Sequence, residues 1–264
     1  MKRRLASAAV GVPILLLAAY LGVPAVAAIA IAAGLVGGYE IARMSAPASG
    51  RINVFLVGMP ATVAGSGLAV AYRPEQWWFV AAALAVTAAP AVTFEAVRRS
   101  RSEVSFGGVA AAAYLGLLLA HAPLLRSLDD GREWFLVALL TTFAIDTAAF
   151  FTGRAIGRRR LAPRISAAKT WEGAGGGLAA GVASTIGLTF AFDLDVNPSA
   201  GALIGAAAGA VAIVGDLLES AFKRRAGVKE AGGFIPGHGG ILDRLDSIAP
   251  NLAVVYWLSV WLSR

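Results

Sequence analysis

Long apolar blocks alternate with short polar connectors along the whole chain. Nine such blocks stand out, at roughly 5–20, 23–41, 52–71, 77–96, 106–125, 133–152, 174–192, 200–218 and 247–263. A helix needs roughly 17–25 residues to cross a bilayer, so each block predicts one span, with the first and last at the short end. Backbone hydrogen bonding in lipid favours helices, and these runs are continuous rather than alternating, which argues against a transmembrane barrel. Leu21-Gly22-Val23-Pro24 predicts a tight reversal between the first two spans. The opening Met1-Lys2-Arg3-Arg4 followed by an apolar run mimics a signal peptide, yet no cleavage pattern follows, so it reads as the first span.

Composition agrees. The chain of 264 residues is 58% hydrophobic and 15% charged, against roughly one quarter charged in soluble domains. With no cysteine, disulfides, thiolate nucleophiles and cysteine metal clusters are excluded. The net charge of +7 matters less than its placement. With the N-terminus in the cytoplasm, the inner segments carry Lys2, Arg3, Arg4, Arg43, Arg51, Arg98, Arg99, Arg101, Arg154, Arg158, Arg159, Arg160, Arg164, Lys169, Lys223, Arg224, Arg225, Lys229 and Arg244. Arg73, Arg126, Arg132 and Arg264 remain outside. That bias follows the positive-inside rule and explains the basic charge without nucleic acid as a partner. The expected fold is an all-α integral membrane protein of about nine transmembrane helices, forming a single polytopic domain over 1–264. Residues 1–135 read as a membrane scaffold and 136–264 as the catalytic region.

Glycines four apart, Gly173, Gly177, Gly181 and again Gly201, Gly205, Gly209, predict close helix packing. Trp77, Trp78, Trp134 and Trp257 fall near span ends, where interface anchors collect.

Two inner connectors, about 153–173 and 219–246, are long and polar, and they place the chemistry on the cytoplasmic side. Asp146 and Asp216 sit within predicted spans, where a carboxylate is costly and faces a bundle interior or an aqueous cavity. Asp216 and Glu219, like Asp243 and Asp246, are three apart and share a helix face. Carboxylates at this density suit Mg²⁺; solvated surface acids are the plain alternative. Lys223, Arg224, Arg225 and Arg244 alternate with them and suit phosphate. Pro236-Gly237-His238-Gly239-Gly240 is a turn whose amides can approach an anion, though it is not a Walker loop. Ser166, Lys169 and Thr170 form a second phosphate candidate that doubles as a helix start after Pro163.

The segment from Gly215 to Ser247, with its Glu-Ser-x-x-Lys-Arg, Pro-Gly-His-Gly-Gly and Leu-Asp-Arg-x-Asp-Ser elements, resembles the signature of phosphatidate cytidylyltransferases, also called CDP-diacylglycerol synthases. The run from Ile145 to Gly173 resembles that family's other inner motif. The resemblance implies a bacterial inner-membrane enzyme making CDP-diacylglycerol and pyrophosphate from CTP and phosphatidic acid, with Mg²⁺, and potassium as a second cation. It implies metal ligands at Asp216, Asp243 and Asp246, and catalytic roles for these with Lys223, Arg224 and His238. It places Asp146, Ser166, Lys169, Thr170, Glu219, Gly237, Gly239, Gly240 and Arg244 against substrate. His238 is suited either to contact a phosphate or to protonate a leaving oxygen. Membrane lipid is the expected setting, and a homodimer is one candidate assembly, although the sequence does not set the oligomeric state. Two departures stand out: Lys229-Glu230 replaces a Lys-Asp pair, and Ser166-Ala167-Ala168-Lys169-Thr170 replaces a Ser-Pro-Lys-Lys-Thr run. The competing readings are a CTP-dependent lipid kinase or other lipid nucleotidyltransferase, an ion-coupled transporter, and a structural membrane subunit.

Overall fold

The computed structural model describes residues 2–46, 52–97, 103–234 and 239–262. Among them run nine α-helices: α1 (Lys2–Leu21), α2 (Val23–Ser45), α3 (Val54–Tyr72), α4 (Trp78–Val97), α5 (Glu103–Arg126), α6 (Gly131–Ile156), α7 (Trp171–Ala191), α8 (Pro198–Arg225) and α9 (Leu242–Leu262). A short hairpin, β1 (Arg160–Ala162) and β2 (Ser166–Thr170), lies between α6 and α7. Among the described residues, eight helices are long and apolar enough to cross a membrane, and Gly11–Leu21 of α1 is apolar as well. The all-α expectation therefore holds, with the hairpin as an addition within the 153–173 connector. Arg51, Arg98, Arg99, Arg101 and Arg264 of the charge-bias argument lie outside the described residues.

The helices form two compact units that interleave in sequence. One comprises Met1–Leu128 with Phe222–Leu245, the other Asp129–Ala221 with Asp246–Arg264. The last residues of α8, from Phe222, and the first of α9, to Leu245, fall in the first unit, and the rest of both helices in the second.

In the first unit, Gly22 adopts φ 99 at the start of α2, with Pro24 in the first turn. That is the predicted reversal, and a glycine meets its positive φ without steric cost. Asn53 caps α3 by accepting from the Phe55 amide at 3.1 Å. Its own amide group donates to Ala91 O at 3.1 Å and to the buried Glu95 at 2.9 Å, tying the start of α3 to the end of α4. At Gly34 an added Cβ would come within 2.9 Å of the Ala61 amide nitrogen. The α2 and α3 backbones touch there without intervening side chains.

In the second unit the spaced glycines pack as predicted. A Cβ on Gly177 would meet Ala149 Cβ at 3.2 Å, and one on Gly181 would meet the Gly205 carbonyl oxygen at 2.6 Å. Backbone approach of this kind replaces the hydrophobic driving force that lipid removes. Buried polar bonds cross the same bundle. Thr141 and Thr185 hydroxyls lie 3.2 Å apart, and Asn251 donates to Thr142 Oγ1 at 2.7 Å. Asn197 caps α8 through the Ala200 amide at 2.8 Å, with Pro198 as first helical residue. Trp78 and Trp257 are exposed near helix ends as anchors should be, but Trp134 is buried. Trp134 begins the second turn of α6, and its ring faces protein.

Candidate active site

Gly215 opens the first cluster. A side chain there would collide with the Asp246 carbonyl oxygen and approach Pro250 Cγ at 2.9 Å, so the glycine lets α8 and α9 come together beside their acids. The result is a trio: carboxylate oxygens of Asp216, Glu219 and Asp246 all lie within 4.8 Å of one another. Asp216 and Glu219 share a face of α8, as their spacing requires. Glu219 is buried and the two aspartates are half-buried. Asp216 also accepts from Ser220 Oγ at 3.3 Å, and Asp246 from the Ser247 amide at 2.8 Å.

One cation is delivered to this trio by the hairpin. Lys169, on β2, forms an ion pair with Asp216. The strands pair Arg160 with Thr170 and Ala162 with Ser166. Thr170 ends β2 and caps α7, accepting from the Gly173 amide at 3.1 Å, as expected of a helix start after Pro163. Its hydroxyl is nested against Gly157, where an added Cβ would lie 2.8 Å away. Glu172 braces the other side by accepting from the Arg158 amide at 3.1 Å and the Arg159 amide at 3.2 Å. Ala167 and Ala168, the departures from the resembled run, fall on exposed strand positions, while Lys169 keeps its partner.

Three carboxylates gathered this closely make a candidate site for a divalent cation. The donors are hard carboxylate oxygens, the set that Mg²⁺ takes together with water and phosphate. The residues present therefore fit a metal. Glu219 joins Asp216 and Asp246 in the trio, a place that sequence reasoning had kept for Asp243.

Asp243 belongs to a second cluster, in the first unit. Its Oδ1 meets Lys223 Nζ at 2.5 Å. Its Oδ2 accepts from the amides of Gly240 at 2.8 Å and Ala231 at 3.2 Å. Gly239 takes φ 80, and a Cβ there would lie 2.6 Å from Asp243 Oδ2. Gly239 and Gly240 thus lie against the Asp243 carboxylate, and both Lys223 and Asp243 are nearly enclosed. Gly227, at φ 73, ends α8 in a left-handed cap, with the Val228 amide donating to Lys223 O at 3.0 Å. Arg224, an exposed residue, folds over this cap to donate to Val228 O at 3.0 Å. Arg244, Lys229 and Glu230 are exposed as well. Gly237 and His238 lie outside the described residues.

Asp146 is exposed on α6 and is not a member of the trio. Sequence reasoning passed over Glu40. It is 4% exposed, and its carboxylate accepts from the Ile241 and Leu242 amides at 3.0 and 2.9 Å. The signal was available, since Glu40 is a carboxylate at the end of an apolar run, the feature that singled out Asp146 and Asp216.

The profile of the Cytidylyltransferase family matches residues 2–262. A phosphatidate cytidylyltransferase of Pseudomonas aeruginosa is 36% identical over 190 residues, covering 70% of this chain and 68% of the relative. Another from Haemophilus influenzae is 43% identical over 122 residues, 45% of this chain and 42% of the relative. One from Mycobacterium bovis is 35% identical over 147 residues, 56% of this chain, and the match spans about half of the relative, 47%.

Proposed function

This chain belongs to the phosphatidate cytidylyltransferase (CDP-diacylglycerol synthase) family, and we propose that it transfers the cytidylyl group of CTP to phosphatidic acid. A phosphate oxygen of phosphatidic acid forms a bond to the α-phosphorus of CTP. The bond from that phosphorus to the bridging oxygen breaks, and pyrophosphate leaves with the electron pair. The observation that supports this most directly is the carboxylate trio of Asp216, Glu219 and Asp246 with Lys169 beside it.

The attacking phosphate is already anionic near neutral pH, so a strong base is not required. The harder task is bringing two anions together. Lys169 presents a fixed ammonium, and Lys223, Arg224 and Arg244 are proposed to bind phosphate oxygens and offset charge on the leaving group. Asp216, Glu219 and Asp246 would hold Mg²⁺, which supplies charge neutralisation for polyphosphate when bound. A ligand role for Asp243 would use the Oδ1 lone pair that Lys223 leaves open. Ser166, Thr170, Gly237, Gly239, Gly240 and Asp146 are proposed substrate contacts, and His238 a phosphate contact or proton donor. The bacterial inner membrane, a cytoplasmic active face and lateral entry of the lipid complete the reading.

The test is purified protein in detergent with phosphatidic acid, CTP and Mg²⁺, in potassium or sodium buffer, with lipid product and pyrophosphate measured together. CDP-diacylglycerol and pyrophosphate in equal amounts are expected. A phosphorylated lipid with CDP released would assign a kinase, and ion flux with neither product would assign a transporter. Equal rates in potassium and sodium would remove potassium as a cofactor.

A further inference from the structure

Glu40 sits near the end of α2, almost wholly enclosed. A buried carboxylate costs several kcal/mol unless its lone pairs are met. Here each oxygen has an amide: Oε1 takes Ile241 N at 3.0 Å and Oε2 takes Leu242 N at 2.9 Å. Leu242 is the first residue of α9. These amides are among the donors that a helix start leaves without an intrahelical partner. Glu40 therefore caps α9 from a distant helix, and a negative group at that end is also favoured by the helix dipole.

The turn before α9 is shaped to admit this carboxylate. A Cβ on Gly232 would lie 2.5 Å from Glu40 Oε1, and one on Gly240 would lie 2.6 Å from both Glu40 oxygens. Any side chain at either glycine would push the carboxylate off its amides. The same Gly240 donates its own amide to Asp243. Two carboxylates thus grip one short turn, and one of them carries Lys223. An apolar residue at position 40 would fill space but hold no amide.

We infer that Glu40 is a positioning residue, which fixes the 239–242 turn and the first turn of α9 so that Asp243 and Lys223 are presented in register. Its catalytic consequence rests on the cytidylyl-transfer reading above.

The experiment compares full-length wild type with Glu40→Gln, Glu40→Asp and Gly240→Ala in detergent. Hydrogen exchange is followed over the whole chain, and kcat and KM are measured for CTP and phosphatidic acid. Glu40→Gln keeps the shape but turns one acceptor into a donor facing an amide. Faster exchange confined to 239–245 is expected, with kcat lower by about ten- to a hundredfold and KM for phosphatidic acid unchanged, as for a misplaced group rather than a lost contact. Glu40→Asp keeps the charge and should recover part of that loss. Gly240→Ala, which displaces the carboxylate from the other side, should reproduce the Gln variant. Wild-type exchange in 239–245, or wild-type kcat despite local loosening, overturns the inference. Faster exchange throughout the chain also overturns it, in favour of a general stabilising role. If wild type forms no CDP-lipid, the reaction reading fails on its own, and the exchange pattern still decides whether Glu40 holds the turn.

Discussion

The two acidic clusters differ in what gathers around their carboxylates. In the second unit, Asp216, Glu219 and Asp246 crowd together with Lys169 paired to one of them. Their oxygens, all within 4.8 Å of one another, are a candidate ligand set for a divalent cation. In the first unit, Asp243 has Lys223 and two amides, and Glu40 has two amides of its own. That region satisfies its carboxylates internally. The first arrangement gathers side-chain carboxylates on one another, and the second surrounds each carboxylate with backbone amides. Asp243 and Asp246 are three residues apart on one helix, yet they fall on opposite sides of this division.

The sharpest way to break the comparison is to remove a member of the trio. Asp246→Asn and Asp216→Asn are each expected to lower kcat by about a thousandfold or more, as loss of charge stabilisation in phosphoryl chemistry does. Full Mg²⁺-dependent turnover in either variant would reject the metal role. A related arm measures thermal stability with and without Mg²⁺. A bound ion raises stability by mass action, so wild type should shift upward and Asp246→Asn should not. Asp243→Asn should start lower but keep the shift. If it loses the shift too, Asp243 is a ligand after all, as the family resemblance implies, and the division drawn here fails.

Lys169→Met is expected to cost about a hundredfold in turnover, the effect of one preorganised charge, with near-normal folding because the hairpin is held by Thr170 and Glu172. Lys223→Met strands a buried carboxylate and is expected to destabilise by about 3 kcal/mol, read as a lower unfolding midpoint. Unchanged stability there would show that the two amides alone suffice for Asp243. The smallest effect is expected at Glu230→Asp. The residue is exposed, so restoring the commoner aspartate should change turnover by less than about twofold, and a larger gain would give Glu230 a role in the site.

Much of this was legible beforehand, for local reasons. The apolar blocks marked the helices, because length and composition alone determine what can cross a bilayer. Gly22 with Pro24 marked a reversal, and Thr170 after Pro163 marked a helix start. The glycine ladder of α7 and α8 announced a close approach, and Gly181 meets Gly205. Trp134 was misjudged because its position near a helix end does not say which face it occupies. The hairpin was missed because its strands are three and five residues long, too short for a periodicity to register.

Residue types and spacing by themselves determined that this chain is a bundle of membrane helices, that acids and bases collect in two connectors, and that the long signature belongs to cytidylyltransferases. Those are properties of neighbours along the chain, where charge, hydropathy and motif order act over a few turns. Tertiary structure alone decided which acid meets which cation. Glu219 joined the trio through α8 packing on α9 at Gly215, Asp243 met Lys223 and the Gly240 amide, and Glu40 reached amides 201 and 202 residues away. Electrostatic partnership depends on distances of a few ångströms in space, and folding, not sequence order, sets them.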